Sequence, residues 1–134
     1  MINVIQIPAL TDNYIYLVTD QDSNTTACLD PSVAEPVIKV IKEKNIKLDF
    51  IFNTHHHFDH VGGNLELKDL TNCKIVGSAS DHSRIPGIDI LVKDKEVFKL
   101  GESEITVHEI PGHTLGHICY HFLNDYSLFC GDTL

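Results

Sequence analysis

An apolar run, Leu48 to Phe52, opens through Asn53 and Thr54 onto His55-His56-His57-Phe58-Asp59-His60. The run reads as a buried strand. Four imidazoles and a carboxylate therefore crowd into one short loop at a strand's carboxyl end. A packed core has no use for such a cluster, because each buried imidazole would need its own hydrogen-bond partner. A histidine-rich low-complexity tract fits no better, since the cluster lies mid-chain, carries Asp59 and follows an apolar run. Imidazole nitrogen and carboxylate oxygen are the donors of zinc and neighbouring divalent metals. The spacing H-x-H-x-D-H offers more donors than one tetrahedral ion with an open position uses, which points to two metals and to metal-assisted hydrolysis.

Short strands precede this loop: Ile2 to Ile7, ended by Pro8, then Tyr14 to Thr19 and Thr25 to Leu29. Thr11-Asp12-Asn13 signals a turn, and Asp30-Pro31-Ser32 a break. Val33, Val37, Val40 and Ile41 share a face, which predicts a helix over Val33 to Lys44, with Pro36 tolerated in its first turn. After the loop, Gly62 and Gly63 allow a sharp turn into a short helix from Asn64 to Leu70, with Asn64 as N-cap. Strands follow at Lys74 to Gly77, Glu96 to Leu100, Ser103 to Glu109, Ile118 to Leu123 and Ser127 to Cys130, with an irregular polar stretch over Ser78 to Ile90. Neither repeats nor an interdomain linker interrupt the chain.

The length of 134 residues predicts one domain, and the 43% apolar content is ordinary for a globular protein. No stretch reaches the roughly 20 apolar residues that span a bilayer. Met1 to Leu10 lacks the pattern of a signal peptide. The formal charge of −9 argues against nucleic acid as a partner. Cys28, Cys73, Cys119 and Cys130 form no C-x-x-C and read as buried free thiols of a reducing cytoplasm.

A hydrolytic site draws ligands from several strand ends. His113, in the turn Pro111-Gly112-His113 after the strand ending near Glu109, is a second donor candidate. Asp132, just past the apolar strand Leu128 to Cys130, is a third. His108 and His121 fall within strands and read as structural, His82 as solvated, and His117 as a residue behind the ligands rather than one of them.

Four segments carry a resemblance to a known family: Pro8-Ala9-Leu10-Thr11-Asp12-Asn13-Tyr14, Thr54 to Gly63, Pro111 to Tyr120 and Phe129 to Leu134. Together they resemble glyoxalase II, the hydroxyacylglutathione hydrolases of the metallo-β-lactamase superfamily. The H-x-H-x-D-H motif marks the superfamily; the first and third segments are more specific to glyoxalase II. The resemblance implies an α/β fold, the αββα sandwich. It implies that His55, His57 and His113 hold a first metal, that Asp59 and His60 hold a second, and that Asp132 bridges the two. His56 receives no role. Asp59 is also the candidate catalytic carboxylate that orients the nucleophile and accepts its proton. The implied metal is Zn2+, two per complete site, with iron or manganese as alternatives. The implied reaction converts S-D-lactoylglutathione, and other S-2-hydroxyacylglutathiones, to D-lactate and glutathione, in methylglyoxal detoxification.

A full glyoxalase II continues beyond the position of Leu134. The expectation is therefore a truncated sandwich over residues 1–134, without the last histidine of the second metal site and without the helical region that holds the glutathione arm. Such a chain is expected to expose apolar sheet surface. Its small-molecule partner is a glutathione thioester, and a cytoplasmic monomer bound to neither nucleic acid nor membrane is expected. A related lactonase, β-lactamase or persulfide dioxygenase stays open as an alternative, as does a metal-binding fragment without turnover. Asp132 argues against those β-lactamases that place a cysteine at the equivalent position.

Overall fold

The computed structural model describes residues 2–9, 13–54, 61–79, 83, 85–109, 118–123 and 127–129. The chain begins as a meander: β1 (Ile2–Ala9), β2 (Asn13–Asp20) and β3 (Thr25–Leu29) pair antiparallel, with Ile2 opposite Asp20 and Asp20 opposite Thr25. It then changes to parallel pairing. Helix α1 (Glu35–Glu43) leads from β3 to β4 (Phe50–Phe52), and α2 (Asn64–Thr71) leads from β4 to β5 (Lys74–Ser78). The short β6 (Ile90–Val92) closes this six-stranded sheet, whose order is β1-β2-β3-β4-β5-β6. A second, antiparallel sheet holds β7 (Val97–Leu100), β8 (Ser103–Glu109), β9 (Ile118–Phe122) and β10 (Ser127–Phe129) in the order β10-β9-β8-β7.

Both faces of the central strands β3, β4 and β5 are largely buried, which explains their nearly continuous apolar runs. Alternate residues divide between two clusters. Ile15, Leu17, Cys28, Ile51 and Ile75 pack with Val37 and Ile41 of α1 and Leu67 of α2. Val18, Ala27, Leu29, Phe52 and Val76 face the second sheet and meet Leu100, Ile105, Val107, Ile118, Tyr120 and Phe122. The described residues thus form helix, sheet and sheet layers. None of the described helices is long and apolar enough to cross a membrane.

A covered carboxylate ties the two sheets together where β3 begins. Asp20 accepts hydrogen bonds from Ser23 N (3.1 Å) and Ser23 Oγ (2.6 Å) in its own turn. From the β7–β8 turn it accepts Glu102 N (3.0 Å) and Ser103 Oγ (2.6 Å). Burial pushes its carboxyl upward, but these four donors outweigh that and hold it at about 2. Gly101 turns beside it with φ +59°, a conformation that favours glycine.

Several sequence expectations need correction. Pro8 does not end β1; it pairs with Tyr14 inside the strand, because β1 is a sheet edge where a missing N–H costs no ladder bond. The sequence predicts no strand at β6, which starts at the last residue of the irregular stretch and is defined by three residues of pairing to Val76, Gly77 and Ser78 without a periodic signal of its own. Helix α1 starts at Glu35 rather than Val33, although Val33 still packs on its cluster. Ile90, Leu91 and Val97 leave apolar sheet surface exposed, while the other outward residues described on the second sheet are mostly polar. Lys99, Glu104 and His108 are exposed there, and Thr106 and His121 half-buried. Strand period places these residues outward while Ile105, Val107 and Tyr120 turn inward. His108 and His121 are neighbours on that face, with ring centroids 5.8 Å apart. The expectation of free thiols holds for Cys28 and Cys73, which are buried and free, and fails for Cys119, which is disulfide-bonded. Cys130 lies outside the described residues.

Candidate metal centre

All six candidate ligands, His55, His57, Asp59, His60, His113 and Asp132, lie outside the described residues, as do His56, His82 and His117. What the structure describes is the frame from which their segments depart. Strands β3 and β4 run parallel and finish together, Leu29 opposite Phe52. In open α/β sheets, ligands gather outside such carboxyl ends.

Thr54, the last described residue before the histidines, is fastened on two sides. Its N–H donates to Asp30 Oδ1 (2.8 Å) and its Oγ1 donates to Asp30 Oδ2 (2.7 Å), both within buried surroundings. Asp30 follows β3 in the left-handed region (φ 49°), and its own N–H donates to Phe52 O (3.1 Å). On the other side, Thr54 O accepts the N–H of Ile118, the first residue of β9, at 2.8 Å. That bond joins the two sheets. In the sequence Thr54 directly precedes the histidine run, and Ile118 directly follows residues 110–117, which include His113.

One residue earlier, Asn53 N donates to Val76 O (2.9 Å), and Asn53 O accepts the Tyr120 hydroxyl at 2.6 Å. Tyr120 stacks on Phe52 with centroids 5.1 Å apart, and burial first, then the nearby Asp30 charge, pushes its hydroxyl well above the usual tyrosine range. It therefore stays a donor. Phe129, opposite Tyr120, brings the end of β10 to the same neighbourhood, three residues before Asp132 in the sequence.

The far stem of the histidine loop is equally constrained. Gly63 N donates to Pro31 O at 2.7 Å. A Cβ on Gly63 would stand 2.8 Å from Ala34 N and from Val33 C, both backbone, so this close approach admits only glycine. The side chain of Asn64 lies across from that of Asn53. Asn64 Nδ2 donates to Asn53 Oδ1 (2.6 Å) and Pro86 O (3.3 Å), and Asn53 Nδ2 reaches Asn64 Oδ1 at 3.4 Å. Asn64 is therefore not the N-cap; Gly63 occupies that position, with no side-chain cap bond. Sequence reasoning missed Asp30, Asn53, Asn64 and Tyr120. Asp30 read as a turn former and Asn64 as a cap, and only the loop length between Asn53 and Asn64 hinted at a shared task.

At the same edge, Ser78 at the end of β5, Val92 at the end of β6 and Glu109 at the end of β8 line a depression of about 400 Å³, with Lys93 and Asp94. Glu109 N donates to Asp94 Oδ1 (2.7 Å) and so fixes the point where the 110–117 segment leaves.

The family description "Metallo-beta-lactamase superfamily" matches residues 10–134. The chain belongs to the metallo-beta-lactamase superfamily. Within known members it is 51% identical over 134 residues to a hydroxyacylglutathione hydrolase of Methylococcus capsulatus, covering 100% of this chain and 52% of that protein. It is 51% identical over 128 residues to the hydroxyacylglutathione hydrolase of Pelagibacter ubique, covering 96% and 54%. The one from Rhodospirillum rubrum is 48% identical over 133 residues, covering 99% and 52%. The chain thus spans about half the length of the curated relatives it matches. Among solved structures, the BLEG-1 B3 metallo-beta-lactamase superposes with a TM-score of 0.83 at 24% identity, covering 100% of this chain and 73% of that one. ETHE1 from Myxococcus xanthus gives 0.77 at 26% identity, covering 90% and 53%. These superpositions bear out the α/β superfamily fold; at such identities the lactamase likeness speaks to fold alone.

The superfamily implies a divalent metal, and the donor set tests the fit. Between Thr54 and Val61 the sequence supplies imidazoles and a carboxylate one to six residues past a hydrogen-bonded anchor, and His113 lies five positions before Ile118, whose N–H bonds that anchor. This chemistry suits zinc, iron or manganese.

Proposed function

We propose that this chain carries the metal-binding half of a glyoxalase II type thioester hydrolase, acting on S-D-lactoylglutathione and related S-2-hydroxyacylglutathiones. In this reading His55, His57 and His113 hold one ion, Asp59 and His60 a second, and Asp132 both; Zn2+ is the expected metal. Bound metal would supply a water acidic enough to ionise near neutral pH and a Lewis acid for the thioester carbonyl. The remaining work falls to the chain's own residues. Asp59 orients the attacking oxygen and takes its proton. Asp30, through Thr54, holds the histidine segment at the end of β4, and Tyr120 holds the preceding carbonyl. Residues 1–134 act as one domain of this kind.

The observation that supports the reading is the Ile118 N to Thr54 O bond, whose two residues adjoin in sequence the two donor-bearing stretches His55 to His60 and 110–117. Sequence identity of about half to proteins named hydroxyacylglutathione hydrolase supports the choice of substrate class. The test is hydrolysis of S-D-lactoylglutathione by the purified chain, with and without chelator. Activity that requires metal and falls at least 100-fold in the double substitution His55→Ala/His57→Ala is expected. Unchanged turnover in that variant would sink the mechanism. A second reading is metal binding without turnover. It predicts bound metal and no thioester cleavage in the same experiment.

A further inference from the structure

Asn53 and Asn64 are both fully buried and stand eleven positions apart. They bracket the segment 54–63, which contains His55, His57, Asp59 and His60. Their amides face each other across the two stems of that loop, and the second amide hydrogen of Asn64 reaches Pro86 O. Burying two amides has a desolvation cost that apolar residues at the same junction would avoid. The fold has other fasteners here: Leu67 anchors α2 in the core, and Gly63 N already ties the stem to Pro31 O. Asn64 also performs no capping. What the amide pair adds is a fixed distance between the stems.

We propose that Asn53 and Asn64 form a positioning clasp that closes the histidine loop and thereby sets its affinity for metal. The inference rests on the metal-site reading given above. A loop whose stems are free must lose entropy when several of its residues converge on one ion; a loop already closed loses less, and its donors start nearer their final places. Asn53 lies two residues before the first candidate ligand and Asn64 four residues after the last candidate of this loop, so the pair sits on its two stems. Groups that orient metal ligands from behind typically change affinity about 10- to 100-fold when lost.

The test is a Co2+ titration followed by visible absorption, with Zn2+ competition against a chromophoric chelator. Thermal unfolding of the metal-free proteins runs alongside. The proteins are the wild-type chain, Asn64→Leu, the double substitution Asn53→Leu/Asn64→Leu, and Asp20→Asn as a variant destabilised at the opposite edge of the sheet. Asn64→Leu is expected to bind Co2+ about 10- to 100-fold more weakly, with altered ligand-field bands. The double variant leaves no buried asparagine amide facing a leucine, whereas Asn64→Leu strands that of Asn53, so it is expected to fold better than the single one, yet to bind as weakly. Asp20→Asn is expected to keep wild-type affinity. Wild-type affinity in Asn64→Leu or the double variant would overturn the clasp, as would an equal weakening in Asp20→Asn. If Asn64→Leu does not fold, the double variant decides. A wild-type chain that binds no Co2+ overturns the metal-site reading itself, and the clasp with it.

Discussion

The substitution Asp20→Asn keeps the side-chain shape and discards the charge. Four donors converge on this carboxylate from Ser23, Glu102 and Ser103, and the side chain is fully covered. An amide retains one acceptor oxygen but turns an NH2 group toward some of those donors. That mismatch costs about 1–3 kcal/mol. The charge contributes separately. Lowering the carboxyl from 3.8 to about 2 corresponds to about 2 kcal/mol at neutral pH. Because the group is covered yet close to the surface, screening reduces this to about 1–2 kcal/mol. The total, about 2–5 kcal/mol, should lower the urea midpoint by roughly 1–2.5 M at an m-value of about 2 kcal/mol/M.

The sign of the pH effect follows from the direction of the shift. A carboxyl depressed in the folded state stabilises fully above its unfolded value of 3.8, and that contribution disappears as pH falls toward about 2. The difference between wild type and Asp20→Asn should therefore be flat above about pH 5 and shrink by about 1–2 kcal/mol near pH 2. Urea unfolding of both proteins across this range measures it, and the remaining carboxylates cancel in the difference. A gap that stays constant from neutral pH to about pH 2 would refute the reasoning, since the four bonds would then not depend on the charge.

Thr54→Val removes the Oγ1 donor to Asp30 at 2.7 Å while keeping the backbone bond at 2.8 Å. Loss of a buried hydrogen bond to a charged group should cost about 1.5–3 kcal/mol in urea unfolding; a change near zero would mean that Asp30 does not depend on this hydroxyl. Burial pushes the thiols of Cys28 and Cys73 up, Cys28 further through the charges of Asp30 and Cys73. Neither is expected to react with iodoacetamide in the native protein at mildly alkaline pH, and both should react after unfolding. Peptide mapping that finds native alkylation at Cys28 would contradict its place between β2 and β4.

Strand identity was largely legible because both clusters demand apolar residues. Thr25–Leu29 and Ser103–Glu109 coincide with their expected spans. The errors fall where pairing, not pattern, decides. Pro8 extends β1 because that strand has a free edge, and β6 exists because β5 offers it partners. The polar outer positions of β8 and β9 were visible in the sequence, but which face lay outward was not. The disulfide at Cys119 was not legible either, since no C-x-x-C or other local spacing marks it.

The donors themselves belong to the sequence alone. Imidazoles and carboxylates at H-x-H-x-D-H spacing announce metal chemistry wherever the chain goes, because ligand identity is a property of side chains. Where those donors are held is a tertiary matter. Asp30, Asn53, Asn64, Ile118 and Tyr120 are distant in sequence and meet only when β3 and β4 end side by side against the second sheet. No local pattern encodes a hydrogen bond across 24 residues, as from Thr54 to Asp30, or across 67, as from Tyr120 to Asn53. Such contacts depend on the relative position of packed elements, which burial of both faces of the central strands brings about.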